Sequence, residues 1–492
     1  MALDRRYESK LLWVLLAILL LRLLAMWLIP LTDSTEARYA EIARKMLETD
    51  NWITPQYDYG VPFWAKPPLS TWVSAGSMKF FGVNEFASRL PSLLCCLALL
   101  FFMYSWLKEN KNNIALLSIV ILSTSILFFG SAGLVMTDLC LIFASTLAMV
   151  SFWNAVVVNK GKLCGYIFFV SLAIGLLAKG PLILVLVGLP TGIWTLLNRQ
   201  LNLVWARLPW ITGILLTAIL AVPWYYIAEQ HTPGFLQYFI IGEHLNRFLV
   251  SGWAGDMYGH AHSEPLGMIW LYLLLGFTPW IGLVAVLSVK HRARLNWRPL
   301  FKDTWLNYLF LWSIMPIVFF TFAHNIISPY ALPAMPACAI LIAEFFINFN
   351  KKDGQFNKKI FFQLSILIPV LAIIILTFLF FKPNLSPKRS EKDLVSKYHE
   401  LRDNERSQLV YFGWRVYSAE FYTAGKTKAV KTKSELDKLL ENDTTDFIAV
   451  ERKFDNAEIT SLLKNNFIKI DTFQDTVLYK ECDIHKHSIC QP

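Results

Sequence analysis

Eleven apolar runs constrain this chain more than anything else in it: Leu11–Pro30, Leu90–Leu107, Ile114–Phe129, Leu139–Val158, Leu163–Ala178, Pro181–Leu197, Pro209–Ala228, Leu266–Val289, Trp305–Phe322, Ala331–Phe349 and Ile360–Phe381. Each is about the length a helix needs to cross roughly 30 Å of hydrocarbon. Backbone exposed to lipid must satisfy its own hydrogen bonds, so helices are the form such runs take. Only 17% of residues are charged and 55% are hydrophobic, where soluble domains carry about a quarter charged. The expectation is an all-α polytopic membrane protein with about eleven to thirteen transmembrane helices.

The net charge of +10 is spread in a way that excludes nucleic acid as the partner. Basic clusters at Arg5, Arg6 and Lys10, at Lys108 and Lys111, at Lys160 and Lys162, at Arg199 and Arg207, at Lys290, Arg292, Arg294 and Arg298, and at Lys351, Lys352, Lys358 and Lys359 alternate with the spans. Counting spans puts all of them on one side, which the positive-inside rule makes the cytoplasm. The outward side then receives 33–89, 130–138, the turn at Lys179, 229–265, 323–330 and everything after Lys382. The first run is long and has no small-residue cleavage site after it, so it reads as a retained anchor.

Chemistry concentrates in the outward segments. Residues 31–72 carry Asp33, Glu36, Arg38 and Lys66 just past the first span, where polar side chains meet the lipid surface. The apolar spacing over Thr35–Thr49 predicts an amphipathic helix lying at the interface, with Ser34 or Thr35 as its cap. Pro67-Pro68 stiffens the backbone directly after Lys66, which suits that cation to hold a phosphate. Asp138 heads a very apolar helix, an expensive place for an acid unless it is partnered. Lys179 stands at another outward turn, in Ala178-Lys179-Gly180-Pro181. The longest outward loop, 229–265, holds Glu243-His244-x-x-Arg247, which on a helix puts His244 and Arg247 on one face. His260 and His262 in the same loop are candidate metal ligands, half of a site without HExxH or paired cysteines. Tyr330 follows in a proline-rich helix start.

After Lys382 the composition turns polar, and short apolar runs at Leu409–Gly413, Phe447–Val450, Phe467–Ile470 and Thr476–Tyr479 alternate with helical stretches. This predicts two domains: a membrane domain over 1–382 with outward loops 31–89 and 229–265, and a soluble α/β domain over 383–492. The latter has no phosphate loop or nucleophile elbow, so its expected role is capping or partner contact. Cys482 and Cys490 lie in it, and an oxidising compartment allows them to pair.

An outward site has no ready supply of nucleotide-activated substrates, and the nucleotide fingerprints are missing. A donor carried on a membrane lipid phosphate meets that need. Transfer from it requires a carboxylate at the acceptor, cations on the departing phosphate and access from the bilayer.

The motifs themselves, Asp33-x-x-Glu36-x-Arg38-Tyr39-Ala40-Glu41-Ile42-Ala43, Lys66-Pro67-Pro68-Leu69, Asn84-Glu85-Phe86-Ala87-x-Arg89-Leu90-Pro91, Thr137-Asp138, Lys179-Gly180-Pro181 and Tyr330-x-Leu332-Pro333-x-x-Pro336, resemble the bacterial aminoarabinose transferase branch of the GT-C glycosyltransferases. These are related to the dolichyl-phosphate-mannose protein mannosyltransferases. The resemblance implies a GT-C fold and a multi-pass enzyme of the bacterial inner membrane, its site facing the periplasm. That enzyme moves an amino sugar from undecaprenyl phosphate to a lipid A phosphate. It implies Asp33 and Asp138 as the family's acidic, catalytic residues and Lys66 on the carrier phosphate; Glu36, Arg38, Lys179, His244, Arg247 and Tyr330 are the candidate substrate-binding residues of the outward segments. Where the family has a glutamate that helps to bind a divalent metal (Zn, Mg or Mn), this chain has Ala65. A protein O-mannosyltransferase-like enzyme and a lipid or sugar transporter are the alternatives. The first needs a peptide groove, the second charges at midspan.

Overall fold

The computed structural model describes residues 4–259, 262–290, 302–353, 358–381, 389–402, 406–413, 415–432, 434–436, 445–454, 463 and 466–482. Helix α1 (Arg5–Leu28) begins at an Asp4 cap whose side chain accepts from the Arg6 amide. After it come α2 (Thr35–Thr49), a small antiparallel pair β1 (Gln56–Asp58) and β2 (Val61–Pro62), α3 (Leu69–Phe81) and α4 (Glu85–Ser123). Further on are α5 (Ile126–Ser131), α6 (Asp138–Trp153), α7 (Lys162–Lys179) and α8 (Leu182–Leu197). Later helices include Trp210–His231, Thr304–Thr321, Met335–Asp353 and Lys358–Phe381.

Among the described residues eight helices are long and apolar enough to cross a membrane, or nine if the bent pair Met268–Gly276 and Trp280–Val289 is one span. Two features reconcile this with eleven apolar runs. Helix α4 joins two runs across non-helical backbone at Lys111, and α8 is apolar but shorter than the rest. The most enclosed spans are Ser328–Ile347, 78% buried, and Asp138–Val158, 72% buried, whereas Trp210–His231 and Lys358–Leu379 are only 22% buried. The first two therefore form the centre of the bundle and the others its lipid-facing rim. Aromatic side chains knit the centre, with Phe152 stacked on Tyr308, and Trp153 and Trp305 edge to face at 5.0 Å.

The C-terminal part is a five-stranded sheet in the order β4-β3-β5-β7-β6, made of β3 (Leu409–Phe412), β4 (Lys428–Val430), β5 (Phe447–Glu451), β6 (Phe467–Phe473) and β7 (Thr476–Glu481). Strand β3 runs parallel to β4 and β5, while β7 is antiparallel to β5 and β6. All four residues of β3 are buried, as parallel strands covered on both faces require. The expected short strands are all present. The expected helical stretches Glu435–Leu440 and Ala457–Lys464 fall largely outside the described residues, as does Cys490; Cys482 is disulfide-bonded.

Helix α2 departs from the interfacial helix expected of it. Ser34 makes no side-chain cap, and Glu41, Arg44 and Lys45 are buried rather than solvated. Helix Tyr417–Tyr422 of the sheet domain covers them. Lys45 Nζ lies 3.1 Å from Glu420 and 3.4 Å from Glu41, and Arg44 is paired with Glu41 at 2.7 Å and Glu48 at 2.6 Å. The charged face that looked solvated is an ion-paired joint between the two parts of the molecule.

Candidate functional site

A cavity of about 720 Å³ opens where one end of the helical bundle meets the sheet domain. It gathers Asp33, Arg38, Lys66, Asp138, Lys179, Arg247, His262 and Tyr330, separated by up to about three hundred residues of chain. Its aromatic wall is built from Tyr57, Phe63 and Tyr258, with ring centroids 5.1 and 4.8 Å apart for the Tyr57–Tyr258 and Phe63–Tyr258 pairs.

Lys66 follows the short β1–β2 pair and is held by Pro67-Pro68 at the start of α3. Its ammonium lies 2.7 Å from Glu243 and donates to the Ala65 carbonyl at 2.7 Å. Glu243 is one turn before Arg247, whose guanidinium reaches it at 3.0 Å and approaches Asp256 at 3.5 Å. The Glu243 side chain is almost fully buried. Burial pushes its carboxyl up, but Lys66 and then Arg247 outweigh that and hold it at about 2. Two cations thus face the cavity from a fixed, ionised carboxylate behind them.

The sequence pattern put His244 beside Arg247. The segment Tyr238–Asn246 is instead a π-helix, and the changed pitch turns His244 away from the cavity. Its two ring nitrogens meet the carbonyl oxygens of Phe239 at 2.8 Å and Lys179 at 3.2 Å, and burial lowers its pKa. His244 positions the end of α7 rather than lining the cavity. Glu36 is a second correction. It is buried against Arg89, which donates to it at 2.8 and 2.9 Å, and it pins the start of α2 to α4. Its charge is spent inside the fold.

Asp138 is partnered, as its position at the head of α6 demands: Lys179 Nζ lies 2.5 Å away. The same ammonium sits 4.3 Å from the centre of the Tyr330 ring, a cation–π contact. Asp33 lies between α1 and α2 and accepts hydrogen bonds from the Ser418 amide, at 3.1 Å, and from the Ser418 hydroxyl. Burial pushes its carboxyl up to about 6, against the pull of the Ser418 hydrogen bonds. Arg38 donates to the Tyr258 carbonyl and lies against the Tyr39 and Tyr417 rings.

His262 lines the cavity, and His260 lies outside the described residues. Among the described residues no three His, Cys, Asp or Glu side chains gather as a metal set, and the methyl group of Ala65 offers no ligand beside Lys66.

Sequence reasoning missed Glu243 and Asp256 as the anchors of the cations, and missed the contribution of the sheet domain. That domain does cap the site, but it also lines it through Arg389, Arg415, Tyr417, Lys431 and Lys453. Arg415 reaches Asp58 at 3.0 Å and lies 4.5 Å over the Tyr57 ring, so it contacts the loop between α2 and α3 directly. The signal available was the density of basic residues after Lys382, which no motif distinguished from solvated charge.

A family model for dolichyl-phosphate-mannose-protein mannosyltransferase matches residues 10–239. An undecaprenyl phosphate-alpha-4-amino-4-deoxy-L-arabinose arabinosyl transferase of Edwardsiella ictaluri is 28% identical over 325 residues, 65% of this chain and 56% of that protein. One of Wigglesworthia glossinidia brevipalpis is 30% identical over 368 residues, 73% of this chain and 62% of that protein. The chain thus matches less than two thirds of the length of these relatives. The crystal structure of ArnT from Cupriavidus metallidurans bound to undecaprenyl phosphate superposes with a TM-score of 0.74 at 16% identity, covering 96% of this chain and 98% of that one. The chain is thus similar in sequence to the aminoarabinose transferases across its membrane portion, and it shares the fold of the ArnT structure along nearly all of its length.

Proposed function

We propose that this protein transfers an amino sugar from an undecaprenyl-phosphate donor to a phosphate of lipid A, at the periplasmic face of the bacterial inner membrane. One observation carries the reading: two acids, Asp33 and Asp138, and three cations, Lys66, Lys179 and Arg247, converge on one cavity at the outward ends of the helices. The activity of the aminoarabinose transferase relatives and the undecaprenyl phosphate bound in the ArnT crystal structure support the substrate class. In this reading residues 1–382 are the catalytic membrane unit and 383–492 a periplasmic domain that completes the site.

The chemistry is a displacement at the anomeric carbon. The acceptor phosphate oxygen forms the new bond to that carbon. The old bond to the carrier phosphate oxygen breaks, and its electron pair leaves with the carrier. Lys66 and Arg247 carry donors beyond those used on Glu243, and they neutralise the charge that grows on the departing phosphate. The acceptor phosphate is already an anion, so Asp33 orients it or the sugar amine rather than removing a proton. Lys179, fixed by Asp138 and Tyr330, steadies the second phosphate. No step is routed through a metal.

The test is mass spectrometry of lipid A from cells with and without the protein. Loss of a mass increment equal to one amino sugar supports the reading and separates a pentosamine from a hexosamine. Unchanged lipid A in cells that express the protein overturns it. Sugar found on secreted proteins instead favours the mannosyltransferase-like alternative, which the family match keeps in play.

A further inference from the structure

A second cavity of about 370 Å³ runs between α1 and α4 and shares no lining residue with the first. Its walls are apolar, and Leu12, Leu16 and Phe101 on its rim are 56%, 41% and 64% exposed, so it opens to the lipid. Arg22 is the one charged residue lining it among the described residues. From Arg22 to the end of α1 at Leu28 is about 9 Å at 1.5 Å per residue, which sets this cation below the outward surface. Phe128, Phe129 and Ala132, which lead into the outward segment, close the same end of the groove.

The guanidinium lies over the Phe129 ring at 5.4 Å. It has no ion-pair or hydrogen-bond partner among the described residues, and its Nε is buried without an acceptor. The neighbouring carboxylate, Glu36, is already taken by Arg89 through two hydrogen bonds. A cation at this depth is costly unless an anion meets it, and basic pockets between membrane helices are where lipid headgroups bind.

We propose that this groove holds an anionic glycerophospholipid of the outer leaflet, with its phosphate on Arg22 and one acyl chain laid between α1 and α4. The charge of the site favours a net negative headgroup, because among the described residues no carboxylate lines the groove to receive the ammonium of a zwitterionic one. A bilayer lipid suits the site better than a substrate does. A carrier phosphate bound here would sit apart from Lys66 and Arg247, in a cavity that shares no residue with theirs.

The experiment uses the full chain purified in detergent, with phosphatidylglycerol and phosphatidylcholine of identical acyl chains as probes. Bound lipid is counted by native mass spectrometry. The expected result is a preference for phosphatidylglycerol of about tenfold, the size of one charge-assisted contact. Arg22→Lys keeps the preference and Arg22→Gln erases it. Leu97→Trp, which fills the groove, weakens both lipids alike and leaves sugar transfer intact. Equal binding of the two lipids by the native chain overturns the proposal, as does an undiminished preference in Arg22→Gln. If undecaprenyl phosphate displaces phosphatidylglycerol with the same dependence on Arg22, the occupant is the carrier and the assignment to a bilayer lipid fails. Should Arg22→Gln not fold, the native lipid series and Leu97→Trp still decide the matter.

Discussion

At the scale of single residues, the charges lining the cavity are fixed by partners within the fold. Lys66 is locked between Glu243 and the Ala65 carbonyl, so Lys66→Ala removes a preorganised cation. We expect it to lower turnover by about a hundredfold, with membrane insertion intact, in an assay of purified enzyme. Asp33 is expected to set a pH dependence. Its carboxyl is pushed from the ordinary 3.8 up to about 6, so between those values the folded chain holds a proton that the unfolded chain has released. Its contribution to stability is therefore present at low pH and lost as pH rises through 6. In the proposed mechanism the ionised form does the orienting, so transfer should fall as pH is lowered through 6, and the residual rate of Asp33→Asn should be flat there. A thermal melt series should show Asp33→Asn gaining on the native chain between pH 4 and 7. Lys66 and Asp33 were legible in the sequence because rigid proline neighbours and a span boundary marked them. Glu243 was not, since what distinguishes it is Lys66, which reaches it from a distant part of the chain.

The element that matters most beyond the bundle is helix Tyr417–Tyr422. It brings Ser418 to Asp33 and Glu420 to Lys45, and the Tyr422 hydroxyl accepts from the Leu31 amide at 2.8 Å. Glu420 also holds Arg415 at 2.9 Å. Replacing it with Ala leaves Lys45 buried with a weakened set of partners. We expect Glu420→Ala to cost about 3 kcal/mol of stability, the usual size for breaking a buried pair, and to make the sheet domain more open to limited proteolysis. Helix α2 itself was legible as an amphipathic helix. Its surroundings were not: the pattern Glu41-x-x-Arg44-Lys45 looks the same whether water or another domain covers it. The π-helix at Tyr238–Asn246 was equally hidden, because ordinary helical spacing assigns His244 the face that the wider turn gives away.

For the whole molecule, the alternation of basic and acidic segments makes a topological prediction. A single cysteine introduced at Lys111 should react with a membrane-impermeant maleimide only after the inner membrane is opened. One introduced at Lys453, on the cavity rim, should react in intact spheroplasts. The opposite pattern would place the site in the cytoplasm, beside nucleotide sugars, and would remove the argument for a lipid-linked donor.

The apolar runs alone determined that the chain is a helical bundle in lipid, because hydrocarbon leaves a backbone few ways to satisfy its hydrogen bonds. The charge asymmetry of its loops predicts which ends face outward, and the motifs near Asp33, Lys66 and Asp138 marked three of the residues that line the cavity. Only the tertiary structure decided which charges are spent inside the fold and which are left for a substrate. Glu36 and Arg44 are consumed by neighbours, while Lys66 and Arg247 share one buried acid and still face the cavity. The reason is physical: the availability of a charge depends on partners brought together across hundreds of residues, and local spacing carries no record of them.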